Sequence, residues 1–356
     1  MLTSLALVLA LRQQTGFYPL TIKMSGPYIA AEVHTKDGKS HLFLVDSGSN
    51  ESYVFDSAVS DGERRQGQAE IRLDVGPTQV FALAEPAPAA KIATSIAGLD
   101  TEGVLGLNLL KQIQLDVDYD ADTVSARYGG PLSSPGAGFS PLLMGKDTDG
   151  LYTVAGQIGS AHVRLCVDTG ASATVLDSSR VDLSAYQVLP SAKLRTFDGG
   201  SDAKRYLLDS VKLGDRVYPW MVAYSRPWKT SEEGAIGVDQ LGSGHLILDF
   251  PGACVYLAAS DPVSDSARRV LGLPVRVEGD SLWFGDNLPD RFKSSAGAKI
   301  VAIRSTKVAD VVAALKGSGS KDAKTLADVY TSIREMGLIT TERDGQRQLV
   351  PLQIGD

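Results

Sequence analysis

One stretch of this chain occurs twice. GVLGLNLLKQIQLDVDYDADTVSARY, from Gly103, aligns without a gap to GAIGVDQLGSGHLILDFPGACVYLAA, from Gly234, at an offset of 131 residues. Gly103 matches Gly234, Gly106 matches Gly237, Leu115 matches Leu246 and Asp118 matches Asp249. Solenoid repeats recur every ~20–50 residues, so a spacing this long means two copies of one small domain. The 356 residues leave room for both copies and a further domain.

Each copy reads as all-β. Runs of strand length recur as YIAAEV, HLFLVD, AEIRLDV and QVFALA in the first copy, and as LYTVAGQI, HVRLCVD, RYLLDSVKL and YPWMVAY in the second. Turn signals at Lys36-Asp37-Gly38, Gly159-Ser160, Asp198-Gly199-Gly200-Ser201 and Gly214-Asp215 separate them. GGPLSSPGAGFSP, from Gly129, reads as a linker, and SDPVSDS, from Ser260, as a second boundary. The last part differs in kind. LPVRVEG, SLWFG and AKIVAI read as strands, and Val308, Val311, Val312, Leu315, Leu326, Val329, Tyr330 and Ile333 recur at helical spacing. The second helix is expected to start at an N-cap on Thr325, with Asp328 three residues on, and to stop at Gly337. A closing hairpin turns at Asp344-Gly345. The expected organisation is an N-terminal segment (1–15), lobe 1 (16–128), a linker (129–145), lobe 2 (146–260), a linker (261–269) and a mixed α/β module (270–356).

Two short strings sit at equivalent places in the repeat. Asp46-Ser47-Gly48-Ser49 ends HLFLVD, and Asp168-Thr169-Gly170-Ala171 ends HVRLCVD, 122 residues later. A lone Asp-(Ser/Thr)-Gly marks an ordinary turn. Two of them, each after a strand and each followed by apolar-apolar-Gly (Val104-Leu105-Gly106 and Ala235-Ile236-Gly237), are far more specific. Two such loops in one chain suggest two carboxylates brought face to face, the minimum equipment for activating a water against a peptide bond.

These residues resemble the retropepsin-like aspartic proteases and, more distantly, the pepsins. DTGASATVL, from Asp168, is similar to the active-site signature, and GVLGLNLL and GAIGVDQL to the element packed behind it; the resemblance covers roughly residues 25–260. It implies a mainly β, bilobal aspartic endopeptidase acting on polypeptides, with Asp46 and Asp168 as the catalytic dyad. Ser47 and Thr169 would hold the loops together, with Gly48 and Gly170 permitting close approach. Retroviral enzymes use two identical chains; here both halves lie in one polypeptide, so a monomer is expected, the alternative being a homodimer that pairs like copies. The family closes a mobile hairpin over the substrate. From Asp168 to Gly214 is 46 residues, but from Asp46 to Gly76 only 30. The extra length holds TFDGGSDAKRY, which makes Gly199 and Gly200 the flap candidate, against an ordinary surface hairpin. DGERRQGQ, from Asp61, leaves the first lobe a short flap or none. The C-terminal module faintly resembles a PDZ domain in AKIVAI, VADVVAAL and ERDGQRQLVPL. Gly297-Ala298 replaces the usual Gly-Asp and no Gly-rich carboxylate loop is evident, so a packing or degenerate role is favoured over peptide capture.

The remaining features are weaker. The net charge of −7, with no Lys/Arg block longer than a pair, gives no support to nucleic-acid binding. His34, His41, His162 and His245 lack metal-ligand spacing, and neither a metal nor an organic cofactor is expected. GSGSK, from Gly317, lacks the spacing of a phosphate loop, and no Gly-x-Ser-x-Gly occurs. Asn50-Glu51-Ser52 fits a glycosylation acceptor, but a sugar there would obstruct the Asp46 loop. Cys166 and Cys254 could pair or remain two buried thiols. MLTSLALVLAL, from Met1, is too short to span a bilayer and is read as the apolar part of a secretory signal, hence a periplasmic or secreted protein; the alternative is an N-terminal element packed on the body. The competing functional class is a non-catalytic member of the same fold that binds peptides or proteins.

Overall fold

The computed structural model describes residues 16–25, 28–88, 95–96, 99–119, 121–171, 173–196, 199–227, 231–241, 244–259, 261–271, 275–285, 295–303, 306–336 and 338–351. The fold is mainly β, as expected. The N-terminal segment 1–15 lies outside the described residues.

In the first lobe, β1 (Tyr28–Thr35), β2 (Ser40–Val45), β3 (Ser52–Phe55), helix α1 (Asp61–Gln66), β4 (Ala69–Val75), β5 (Thr78–Ala87) and β6 (Gly103–Leu105) follow in chain order. The strands neighbour each other as β1-β2-β6-β3-β5-β4, and β4 returns to β1 through His34↔Arg72 and Thr35↔Ile71, which closes a six-stranded barrel. Alternation dictates the inner face: Ala69, Ile71, Leu73 and Val75 on β4 are buried, while Glu70 and Asp74 are exposed. The short β6 is threaded between β2, to which it runs parallel, and β3, to which it runs antiparallel.

After β7 (Ile113–Asp118), β8 (Thr123–Tyr128) and β9 (Phe139–Lys146), the second lobe repeats the pattern. It comprises β10 (Tyr152–Ile158), β11 (Ala161–Val167), β12 (Thr174–Leu176), β13 (Gln187–Thr196), β14 (Gly199–Leu208), β15 (Val211–Leu213), β16 (Met221–Ser225) and β17 (Gly234–Ile236). Here β17 runs parallel to β11 and antiparallel to β12, as β6 does to β2 and β3. RYLLDSVKL is not one strand but two, β14 and β15, broken at Asp209-Ser210. The linker expected over 129–145 is shorter, because Phe139 already pairs with Ala258 in β9.

Six strands join the lobes, in the order Tyr18–Pro19, β8, β7, β18 (His245–Asp249), β19 (Cys254–Ala258), β9, and the sheet continues from β9 into β10 of the second lobe. Its centre is the repeat paired with itself. Gln114 faces Asp249, Asp116 faces Ile247 and Asp118 faces His245. Asp116 and Ile247 are repeat equivalents 131 residues apart, so an approximate twofold axis passes between them. Asp249 is fully buried there and accepts hydrogen bonds from Gln114 Nε2 (3.2 Å), Leu132 N (2.8 Å) and Gly252 N (2.9 Å).

The C-terminal module consists of α2 (Pro262–Leu271), β20 (Val275–Glu278), β21 (Ser281–Phe284), β22 (Lys299–Ile303), α3 (Val308–Lys316), α4 (Ser320–Met336), β23 (Leu338–Arg343) and β24 (Gln346–Pro351). Its sheet runs β20-β21-β22-β23-β24, and all eight apolar residues read at helical spacing are buried. The closing turn sits at Asp344 and Gly345, whose φ values of 50° and 77° fit a tight hairpin. Two expectations are corrected. The supposed linker 261–269 is mostly helix α2: Asp261 caps it, its carboxylate accepting the Val263 and Ser264 N–H groups, and Pro262 fits the first helical position. Helix α4 begins at Ser320 rather than at Thr325, whose hydroxyl instead donates to the Lys321 carbonyl within the helix. Gly337 lies outside the described residues.

Replacing Asp249 by Ala would leave three donors without their acceptor inside the joining sheet. An unpaired buried donor costs about 1–3 kcal/mol, so Asp249→Ala should lose about 3 kcal/mol or more, read as a lower urea midpoint.

Candidate active site

Both carboxylates leave the ends of central strands. Strand β2 stops at Val45 and Asp46 N donates to Leu105 O on β6 (3.0 Å); β11 stops at Val167 and Asp168 N donates to Ile236 O on β17 (3.1 Å). Each chain then turns tightly, with Gly48 N donating to Asp46 Oδ1 (2.8 Å) and Gly170 N to Asp168 Oδ1 (3.0 Å). These amide bonds fix the carboxylate planes.

Four reciprocal hydrogen bonds hold the two loops face to face. Ser47 N donates to Thr169 Oγ1 (3.0 Å) and Thr169 N to Ser47 Oγ (3.1 Å). The hydroxyls donate onward across the axis, Ser47 Oγ to Val167 O (2.7 Å) and Thr169 Oγ1 to Val45 O (2.9 Å). Both residues are buried, so every one of these groups needs its partner. The glycines make the approach possible. A Cβ on Gly48 would lie 2.5 Å from Asp168 Cγ, and one on Gly170 would clash equally with Asp46 Cγ. The structure thus brings together all six residues expected at the loops.

The carboxyls face each other across the loops, and both resist ionisation. Asp46 is buried, and that burial, reinforced by the neighbouring Asp168 charge, pushes its pKa well above the ordinary carboxylate range; the Gly48 N–H opposes this only in part. Asp168, the more open of the two, is also raised by burial, but accepting hydrogen bonds from Asp46 and from the Gly170 and Ala171 amides pulls it back. The pair therefore keeps one proton between them and titrates as a unit.

A supporting layer escaped the sequence analysis. Ser52 Oγ accepts from Gly106 N (3.0 Å) and donates to Asn108 Oδ1 (2.6 Å). Thr174 Oγ1 accepts from Gly237 N (3.3 Å) and donates to Asp239 Oδ1 (3.0 Å). The offsets of 122 and 131 residues that relate the main motifs also relate these pairs, and that was the available signal. Tyr53 was missed as well. Its phenol is pushed above its ordinary pKa by burial and by the charges of Glu85, Glu51 and Asp46, which places it within electrostatic reach of the pair.

The lobes differ beside the site. In the second, β13 and β14 form a long hairpin in which Gly199 pairs with Thr196 and Gly200 with Arg195. The two glycines therefore sit in strand β14 rather than at the tip, and the intervening residues 197–198 lie outside the described residues. Ala203 of this hairpin packs on Ala173 and Val175, just beyond the Asp168 loop. In the first lobe that position is taken by α1, closed by a capping box between Ser60 and Glu63. His34, His41 and His245 each face one carboxylate, Asp74, Glu102 and Asp116 respectively. Among the described residues no group of three or more His, Cys, Asp or Glu is placed to hold a metal. Cys166 and Cys254 are free and buried.

The comparisons with known proteins bear on the second lobe most directly. The aspartyl protease family model matches residues 154–240, from β10 to α-helical residues just past β17. No curated protein matches the chain. Among solved structures it is similar to basic 7S globulin from soybean, with a TM-score of 0.44 and 13% identity, covering 70% of this chain and 96% of that one. No described helix is long and apolar enough to cross a membrane.

Two outcomes follow from this geometry. Thr169→Val removes one acceptor and one donor from the reciprocal set and should cost about 2–3 kcal/mol in denaturant unfolding, whereas Thr169→Ser should cost under about 1 kcal/mol. The folded pair also holds a proton that the unfolded chain releases near pH ~4. The parent chain therefore loses stability as pH rises through that range toward the raised pKa of the pair. Asp46→Asn removes this titration, so its Tm should exceed the parent's at pH 7 and the gap should narrow toward pH 4.

Proposed function

We propose that the chain is an aspartic endopeptidase, hydrolysing polypeptides with a water activated by Asp46 and Asp168. The observation that carries this reading is the pair of buried carboxyls, each set against the glycine of the opposite loop and held there by the reciprocal Ser47 and Thr169 bonds. The charged member takes a proton from the water as its oxygen attacks the scissile carbonyl carbon. The protonated member donates its hydrogen bond, and then its proton, to the carbonyl oxygen. Collapse of the tetrahedral species returns that proton through the pair to the leaving amine. Amide bonds from Gly48 and Gly170 keep both carboxylates aimed, and the hairpin carrying Gly199 and Gly200 supplies the cover over bound polypeptide. Neither a metal nor an organic cofactor has a part in this reaction. The chain acts as a monomer, since each lobe supplies one carboxylate.

The apolar Met1–Leu11 stretch supports an exported, periplasmic or secreted location. The C-terminal module is read as PDZ-like, with a packing role. A second reading is favoured by one observation: helix α1 stands where the first lobe would carry its own hairpin, so the fold could bind peptides or proteins without cleaving them.

The test is cleavage of an unfolded protein. Asp46→Asn and Asp168→Asn should each lower turnover by at least ~10³-fold, and a statine-type transition-state mimic should bind the parent chain. Cleavage retained in either variant removes the one-chain dyad. Peptide binding without hydrolysis, equal in parent and variants, establishes the second reading instead.

A further inference from the structure

The second-lobe hairpin belongs to two bodies at once. Beyond Lys204 its strands pair only with each other, whereas from Lys204 to Leu208 strand β14 is also zipped to β16. The arm, 192–196 with 199–203, extends about 16 Å at strand rise from the sheet edge beside the Asp168 loop, with Ala203 packed at its base. At its root lies a bulge. Leu189 pairs with Arg205 and Ala192 with Ala203, so Pro190 and Ser191 oppose the single residue Lys204. A bulge bends a strand, and Pro at such a place gives up no ladder donor.

Arg205 fastens this bend. Only 4% exposed, it donates from Nε to the Pro190 carbonyl (2.5 Å) and from Nη1 to the Tyr330 hydroxyl on α4 (2.7 Å). Its guanidinium lies 5.1 Å from the Tyr330 ring centre and 5.8 Å from that of Tyr224, its cross-strand neighbour. The Arg334 guanidinium covers the Tyr330 ring at 4.6 Å. Around the clamp, Leu189, Leu207, Trp220 and Val222 pack into the same core as Val270, Leu326 and Tyr330 rather than into the core of their own lobe.

We propose that the C-terminal module sets the angle of the hairpin arm beside the carboxylate pair, with Arg205 as the positioning residue that couples α4 to the Pro190 bulge. This deepens the proteolytic reading and rests on it only for its kinetic consequence. An arginine fork can reach both acceptors at once, and a lysine ammonium at this position cannot. Displacing α4, by a ligand or by loss of the module, then releases the arm and loosens its hold on bound polypeptide.

The experiment compares Tyr330→Phe, which keeps the ring and deletes one acceptor, with Arg205→Lys, which keeps the charge and deletes the fork. In both, amide exchange over 192–196 and 199–203 should accelerate about tenfold, with the amides of β10 and β11 unchanged. KM for a polypeptide should rise about tenfold with kcat held within about twofold. Exchange in the arm that stays at the parent rate in Tyr330→Phe, or that rises equally throughout both lobes, overturns the proposal. A parent chain that cleaves nothing overturns the proteolytic reading alone, because the exchange measurement still decides the coupling.

Discussion

The molecule turns on the exchange of hydrogen bonds between Ser47 and Thr169. Two carboxyls repel when both are charged, and burial makes the repulsion worse. The opposing restraint is four bonds made by two short side chains and their amides, each of modest net worth but expensive to leave unmade in a buried place. For those bonds to form, β2 and β11 must deliver their ends to the same point. They do so because each is flanked by a parallel strand, β6 or β17, from its own copy of the repeat. The order of dependence runs from repeat to strand placement, to loop contact, to a shared proton.

Much of this was legible in the residues themselves. Asp46, Asp168, their hydroxyl neighbours and their glycines form a short contiguous pattern, and duplication fixed their equivalence. The helical apolar spacing from Val308 to Ile333 was equally plain, because burial of one face writes itself into the sequence. What stayed hidden was of two kinds. Asp261-Pro262 is compatible with both a linker and a helix start, and only the packing of α2 decides between them. Thr325 likewise suits a cap, but the helix gains six residues upstream, Ser320 to Thr325, and the hydroxyl settles for an internal carbonyl. The other kind is long-range. Nothing local to Arg205 announces Tyr330, 125 residues away, as its partner.

The copies have diverged where the axis is far away and stayed alike where it is near. Loop, glycine and supporting hydroxyl are kept on both sides, Ser52 with Asn108 answering Thr174 with Asp239. Farther out, one lobe carries a capped helix of six residues and the other a hairpin of ten-residue strands. The helix is exposed and closes on itself, whereas the hairpin root is buried against the C-terminal module, so the enlarged lobe is also the anchored one.

The seam between β7 and β18 bears on which halves can meet. Because the axis passes between Asp116 and Ile247, two first lobes joined in the same register would set Asp116 against Asp116, like charges directly opposed. In the actual pairing Asp116 faces Ile247 and its carboxylate turns to His245, 2.5 Å away, while Asp249 collects Gln114 from the other side. The Asp116 bond exists once, because the repeat equivalent of Asp116 is Ile247, which has no carboxylate to answer it. The fused halves have become a lock and its own key: the chain recognises itself in one arrangement, and two copies of lobe 1 are a poor substitute for it.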